Sequence, residues 1–70
     1  MILGTIVTVN PRNLTMICRD EFGKNHAVAV SPNATIRLVS EQVKLSDLKQ
    51  DDQVELSHDI PVSVIIARRG

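Results

Sequence analysis

The sequence is dominated by short runs of β-branched residues that alternate with polar ones and are separated by turn-forming residues. Nine Val, seven Ile and four Thr make up twenty of the seventy residues. Such side chains pack well on the pleated surface of a sheet and lose side-chain freedom in a helix. The clearest alternation, Ile60, Val62, Val64 and Ile66, predicts a strand near the end of the chain. The pattern therefore predicts an all-β fold.

Turn residues fix where the first strands end. Pro11 suits the second position of a turn, and Asn13 tolerates the left-handed backbone that such a turn can need. Gly23 is placed to take a positive φ in a three-residue loop that follows Asp20. If Asp20 lies opposite Lys24, the hairpin register puts three pairs on one core face. These pairs are Cys18 with His26, Met16 with Val28, and Leu14 with Val30.

The second half of the chain predicts further strands and one turn of helix. Pro32 interrupts the third strand, because proline gives no hydrogen bond to a neighbouring strand. Leu45 and Leu48 are three residues apart, and Ser46 is a candidate N-cap, so a helical turn is expected near 45–50. Short connections throughout favour a closed sheet, which leaves few exposed edges. We expect one domain over residues 1–70, a small antiparallel barrel of five to six strands.

Several motifs in this chain are similar to those of a family of small bacterial β-barrel domains of uncharacterised function. The motifs are Gly4-Thr5-Ile6, Leu14-Thr15-Met16, Asp20-Glu21-Phe22-Gly23-Lys24, Ser31-Pro32-Asn33-Ala34-Thr35-Ile36 and the segment from Leu45 to Val54. In that last segment Asp51 stands where the family has glycine, so its backbone is expected to be left-handed at some cost. The resemblance implies an OB-like or SH3-like barrel and brings no active site with it.

Composition and charge exclude several classes of function. Eight basic and eight acidic residues cancel, which argues against a partner bound mainly by charge, such as duplex DNA or an anionic membrane. Three glycines are too few for a phosphate-binding loop, and the single cysteine cannot form an internal disulfide. We expect no enzyme activity, no cofactor and no metal. The first residues lack a signal-like segment, which predicts a cytoplasmic protein, although the chain would also suit a piece of a longer exported one.

Apolar residues on the second face of the first strands suggest how the domain is used. The face opposite the predicted core carries one candidate interaction set: Leu3, Val7, Thr15, Ile17, Ala27 and Ala29. Small soluble monomers seldom leave such patches uncovered, so the sequence predicts a binding or assembly module that associates with itself or with another protein. The alternative is that a β-bulge switches faces and that the curvature of the barrel covers part of the set.

Two other functions are weighed against this prediction. OB-like barrels often bind single-stranded nucleic acid, and the candidate contacts are Arg12, Arg19, Phe22, Lys24 and Arg37. Such proteins usually stack bases on several aromatic side chains, and Phe22 is the only aromatic residue in this chain. The second alternative is a reactive thiol at Cys18, activated by His26 across the hairpin. A buried cysteine that acts as a small apolar residue is the more ordinary interpretation.

Overall fold

The computed structural model describes residues 2–69, which form six strands and one 3-10 turn. The elements are β1 (Ile2–Asn10), β2 (Thr15–Arg19), β3 (Asn25–Leu38), β4 (Glu41–Gln42), the 3-10 turn (Leu45–Asp47), β5 (Gln53–Leu56) and β6 (Val62–Arg68). The predicted all-β class and the single helical turn near 45–50 are confirmed.

Five of the strands close into a ring of hydrogen bonds in the order β1, β2, β3, β6, β5 and back to β1, so the sheet is a small barrel. The two-residue β4 is attached outside the ring at the end of β3. Four of the ring pairings are antiparallel, as expected. The pairing of β3 with β6 is parallel, which corrects the prediction of a wholly antiparallel barrel. A parallel pair arises here because the chain crosses over through the 3-10 turn and β5 before it returns beside β3.

The β2–β3 hairpin has the predicted register. Cys18 lies opposite His26 and Met16 lies opposite Val28. Gly23 has a φ of +82°, the left-handed conformation that glycine adopts without steric cost. The Asp20 carboxylate accepts the backbone N–H groups of Phe22 at 2.8 Å and Lys24 at 2.9 Å. The aspartate therefore stabilises the loop conformation, which sets the alignment of β2 and β3.

The β1–β2 connection differs from the prediction in one residue. Leu14, and not Asn13, has the positive φ, at +53°. Its carbonyl accepts the N–H of Val30 at 2.8 Å, so the pairing with β3 holds the strained residue in place. A β-bulge lies between Ile6 and Thr8, which is the alternative that the sequence left open. Because of this bulge, Ile6 is buried in the core and Val9 also packs against it.

The third and last strands also have irregular ladders. β3 is one continuous strand, but its pairing with β6 shifts register between Val30 and Thr35, the stretch that contains Pro32. On β6 the fully buried residues are Ile65 and Ala67, opposite Leu56 and Val54 of β5. The simple alternation would have put Val64 and Ile66 on the same face as Val62. The closing strand is confirmed, and its inner face changes between Val62 and Ile65.

The core is aliphatic and fills the inside of the ring. Its members are Ile6, Met16, Cys18, Val30, Ile36, Leu45, Leu48, Val54, Leu56, Val62, Ile65 and Ala67. Leu45 lies in the 3-10 turn and Leu48 directly follows it, so this turn contributes to the core. The turn starts after Lys44, whose N–H is accepted by the Asp47 carboxylate at 2.9 Å, and Ser46 lies within it. Among residues 2–69 no helix has the length and apolarity needed to cross a membrane.

A buried carboxylate ties the end of the chain to the barrel. Asp52 is 2% exposed, and both of its carboxylate oxygens accept hydrogen bonds from Arg69, each at 2.9 Å. The N–H of Lys49 is a third donor at 2.9 Å. The pKa of Asp52 is held below its ordinary value mainly by the hydrogen bonds from Arg69, and to a lesser extent by the one from the N–H of Lys49. Just before it, Asp51 has a φ of +73°, the left-handed backbone that was expected at this position.

Candidate binding groove

A groove of about 470 Å³ lies beside the β2–β3 hairpin, and we refer to it as the apolar groove. It is bounded by residues 2–4 of β1, residues 18–20 and 26–29 of the hairpin, and residues 56–60 and 62 at the other wall. Ile2 is 47% exposed, Leu3 is 48% exposed and Ile60 is 92% exposed. Its volume falls in the range of about 300–1,000 Å³ typical of ligand sites, which are mostly apolar.

The groove exists because β3 pairs with β2 and with β6 along different parts of its length. Residues 25–29 pair with β2, and the ladder to β6 begins only at Val30, opposite Val62. The first part of β3 is therefore separated from residues 57–61, the connection between β5 and β6. Gly4 lines the groove, and a Cβ atom at this position would be 3.2 Å from the carbonyl oxygen of Arg19. Glycine at this position lets β1 pass close to the end of β2.

Hydrogen bonds hold the polar rim of the groove. On one wall, His26 Nε2 lies 2.7 Å from Asp20 Oδ2, and this hydrogen bond is the main reason that the pKa of Asp20 is lowered. On the other wall, Ser63 donates its hydroxyl proton to the Asp59 carboxylate. Hydrogen bonds from Ser57 and Ser63 lower the pKa of Asp59. Each wall thus carries a hydrogen bond between its own polar side chains.

The predicted interaction set only partly coincides with the groove. Its members are Leu3, Val7, Thr15, Ile17, Ala27 and Ala29. The four hairpin residues do share a face, since Thr15 lies opposite Ala29 and Ile17 opposite Ala27. Leu3, Ala27 and Ala29 are exposed and line the groove. The other three are half-buried, and Val7 lies at the β-bulge.

Sequence reasoning missed Ile2 and Ile60 as groove residues. The alternation placed Ile60 in the last strand, but β6 begins at Val62 and Ile60 lies in the connection after Ser57-His58-Asp59. Ile2 lies on the same face of β1 as the buried Ile6, yet it is 47% exposed. A second cavity, of about 300 Å³, lies on the outer side of β1, β5 and β6, and the Arg68–Glu55 ion pair at 2.9 Å lies at its edge.

The candidate nucleic-acid contacts are spread over the barrel. Arg19, Phe22 and Lys24 lie at the hairpin loop, together with the acidic residues Asp20 and Glu21. Arg12 lies in the β1–β2 turn at the other end of β2, and Arg37 lies near the end of β3. Phe22 is 92% exposed and therefore does not cover the end of the barrel. The five residues do not form one continuous basic stripe along which a phosphate backbone would run.

Comparison of the chain with protein-family models, curated proteins and solved structures returned no match. The family expected from the sequence motifs therefore stays a prediction. Within residues 2–69, no group of three or more His, Cys, Asp or Glu side chains is arranged to hold a metal ion. What distinguishes the described surface is the apolar groove.

The Cys18 thiol is expected to be unreactive in the folded protein. Cys18 is 4% exposed, and burial raises the pKa of its thiol to about 11. This direction is opposite to the one that a nucleophile or soft-metal ligand requires, and the facing His26 is hydrogen-bonded to Asp20. A chromogenic disulfide reagent at pH 8 should modify less than a tenth of the protein in the time that fully labels the same protein in urea. Rapid labelling of the folded protein would revive the activated-thiol hypothesis.

Proposed function

We propose that the protein is a non-enzymatic binding module that holds apolar side chains of another polypeptide in the apolar groove. The observation that carries this proposal is that three exposed apolar residues, Ile2, Leu3 and Ile60, line one concavity. An exposed apolar patch with a polar rim is typical of protein-interaction sites. The zero net charge also favours a contact based on apolar burial over one based on long-range attraction.

We further propose that the barrel is OB-like. The meander β1–β2–β3 is followed by the hairpin β5–β6, which returns so that β6 lies beside β3 and β5 lies beside β1. This is the order of a five-stranded Greek-key barrel, the architecture of OB domains. The parallel pairing of β3 with β6 favours an OB-like over an SH3-like barrel. OB-like barrels bind ligands across strands 2 and 3 and the adjoining loops, a region that includes one wall of the apolar groove.

Selection from a displayed library of random decapeptides tests the proposal. We expect the immobilised protein to enrich peptides rich in Ile, Leu and Val, and the Ile60→Asp variant to bind them at least tenfold more weakly. A tenfold loss corresponds to about 1.4 kcal/mol, the size expected when an anchoring contact is removed. The matched control is Val39→Asp, which places the same charge at a residue that is 71% exposed and outside the groove.

Three results would contradict the proposal: no enriched peptide, equal losses in both variants, or a clear preference for nucleic acid. The last is measured with fluorescein-labelled oligothymidine at low salt. Tight binding that Phe22→Ala weakens would favour the single-strand alternative, because stacking on an aromatic side chain contributes about 1–3 kcal/mol per base. Sedimentation equilibrium of the protein alone would detect self-association, the other form of assembly that the sequence predicts.

A further inference from the structure

The first five residues of β3 form an open sheet edge. Residues 25–29 pair with β2 on one side, and within the described part of the chain they have no strand on the other. The N–H of Val30 is donated to Leu14, and the N–H of Asp20 to Lys24. Since hydrogen-bonded and non-hydrogen-bonded pairs alternate along an antiparallel ladder, Asn25 and Ala27 direct their backbone N–H and C=O groups away from β2.

This edge lies along the apolar groove and is not protected. Sheet edges that face solvent are usually blocked by proline, by lysine or by a covering segment. The edge itself, Asn25–Ala29, contains neither residue, and Lys24 and Pro32 lie beyond its two ends. Asn25, Ala27 and Ala29 are all exposed. A backbone with unpaired donors and acceptors therefore lies next to exposed apolar side chains on the facing wall, notably Ile60.

We propose that the groove binds an extended segment of a partner protein, which adds to β3 as an extra strand along residues 25–29. This proposal rests on the proposed function and specifies its mode. Strand addition would supply main-chain hydrogen bonds to Asn25 and Ala27, while alternate side chains of the segment would enter the groove. The preferred segment is thus extended, with Val, Ile or Leu at every second position and no proline.

The shape of the site favours a partner segment over a second copy of the barrel. An interface between two identical copies related by a two-fold axis uses the same patch on both, so the patch must be complementary to itself. The edge here lies along a concavity, and residues 57–61 form the facing wall. Two concave grooves do not fill each other, whereas a single extended chain fits between the edge and the facing wall.

The test compares Ala27→Pro with Ala27→Val, using a decapeptide enriched from the displayed library. Proline removes the N–H of Ala27 and is tolerated at an edge where that N–H is unpaired, whereas valine keeps it and favours a strand. We expect Ala27→Pro to bind the decapeptide about tenfold more weakly and Ala27→Val to bind within threefold of wild type. Amide hydrogen exchange on the wild-type protein gives a second measure that needs no variant. The peptide should slow exchange at Ala27 by more than tenfold and leave Val28, whose N–H is paired with β2, unchanged.

The outcomes separate the two proposals. If no peptide is enriched, the proposed function fails and the strand-addition mode fails with it. If a peptide binds and depends on Ile60, but Ala27→Pro binds it as well as wild type and Ala27 exchange is unaffected, the binding function holds and strand addition is overturned. If the protein alone forms a dimer that Ala27→Pro abolishes, the edge is used but its occupant is a second copy, which overturns the partner segment.

Discussion

Replacing Ile65 by Ala lowers the free energy of unfolding by about 3–4 kcal/mol, because the truncation leaves a cavity at the centre of the barrel. Ile65 has no exposed surface and lies between Leu56 of β5 and Ile36 of β3. A domain of this length is stabilised by about 3–10 kcal/mol in total, so the variant loses a large part of its stability. Urea denaturation followed by far-UV circular dichroism measures the effect, since the chain has no Trp or Tyr for fluorescence.

The adjacent residue gives a matched control for the same chemical change. Ile66 is half-buried on the outer side of β6, so Ile66→Ala should cost less than about 1.5 kcal/mol. Equal losses in the two variants would mean that the inner face of β6 is not the one described. A larger loss of stability in Ile66→Ala would mean that Val62, Val64 and Ile66 face the core, as simple alternation indicates.

Replacing Asp52 by Asn at pH 7 is expected to lower the free energy of unfolding by about 2–3 kcal/mol. The variant keeps the size of the side chain but loses the charge that accepts two hydrogen bonds from Arg69 and one from the N–H of Lys49. Hydrogen bonds to a charged group contribute about 1.5–3 kcal/mol. The Asp52 side chain is nearly fully buried, so water does not replace the contacts at this position, whereas the Arg69 side chain is 43% exposed and regains hydration. Urea denaturation at pH 7 measures the change.

The same substitution should flatten the pH dependence of stability. The folded-state pKa of Asp52 is lowered below its ordinary value of 3.8, so its contribution is fully present above the unfolded pKa. This contribution is lost as the pH falls through the lower, folded-state pKa. The difference between wild type and Asp52→Asn should therefore be largest at pH 5–7 and shrink below pH 4. Some acid sensitivity remains in the variant, because Asp20 and Asp59 also have lowered pKa values.

Glu55→Gln is the control for Asp52→Asn. It removes the acid of the other arginine pair, in which Glu55 lies 2.9 Å from an Arg68 side chain that is 66% exposed. Ion pairs at the surface contribute little, so the expected change is within about 0.5 kcal/mol. If Asp52→Asn changed the free energy of unfolding by as little, or by the same amount at pH 3 and pH 7, the buried carboxylate would not stabilise the fold through Arg69.

Local turn chemistry was the part of the fold that the sequence predicted best. Asp20 and Gly23 specify the loop by themselves, through two backbone hydrogen bonds and a positive φ, and the register of Cys18 and His26 follows from it. Asp51 likewise has the left-handed backbone that was expected at its position. These features depend on a few neighbouring residues, which is why a sequence reports them.

Features that depend on distant residues were not predictable in this way. The parallel pairing of β3 with β6 joins residues far apart in the sequence, and on β6 the buried Ile65 and Ala67 lie opposite Leu56 and Val54 of β5. Arg69 gives another example, because it binds a carboxylate buried seventeen positions earlier. The apolar groove follows from the same long-range geometry, so the sequence indicated Leu3, Ala27 and Ala29 but not Ile60.

The closure of the ring has a consequence for the order in which the barrel forms. β1 pairs with β2 nearby in sequence, but it also pairs Ile2 with Leu56 near the other end of the chain. Contacts across long sequence distances form slowly, because the loop entropy is lost before the contact is made. The meander β1–β2–β3 can therefore assemble first. Its core face, which includes Met16 and Val30, is then exposed to solvent until β5 and β6 pair with it. During synthesis this half-barrel is the stage most exposed to aggregation.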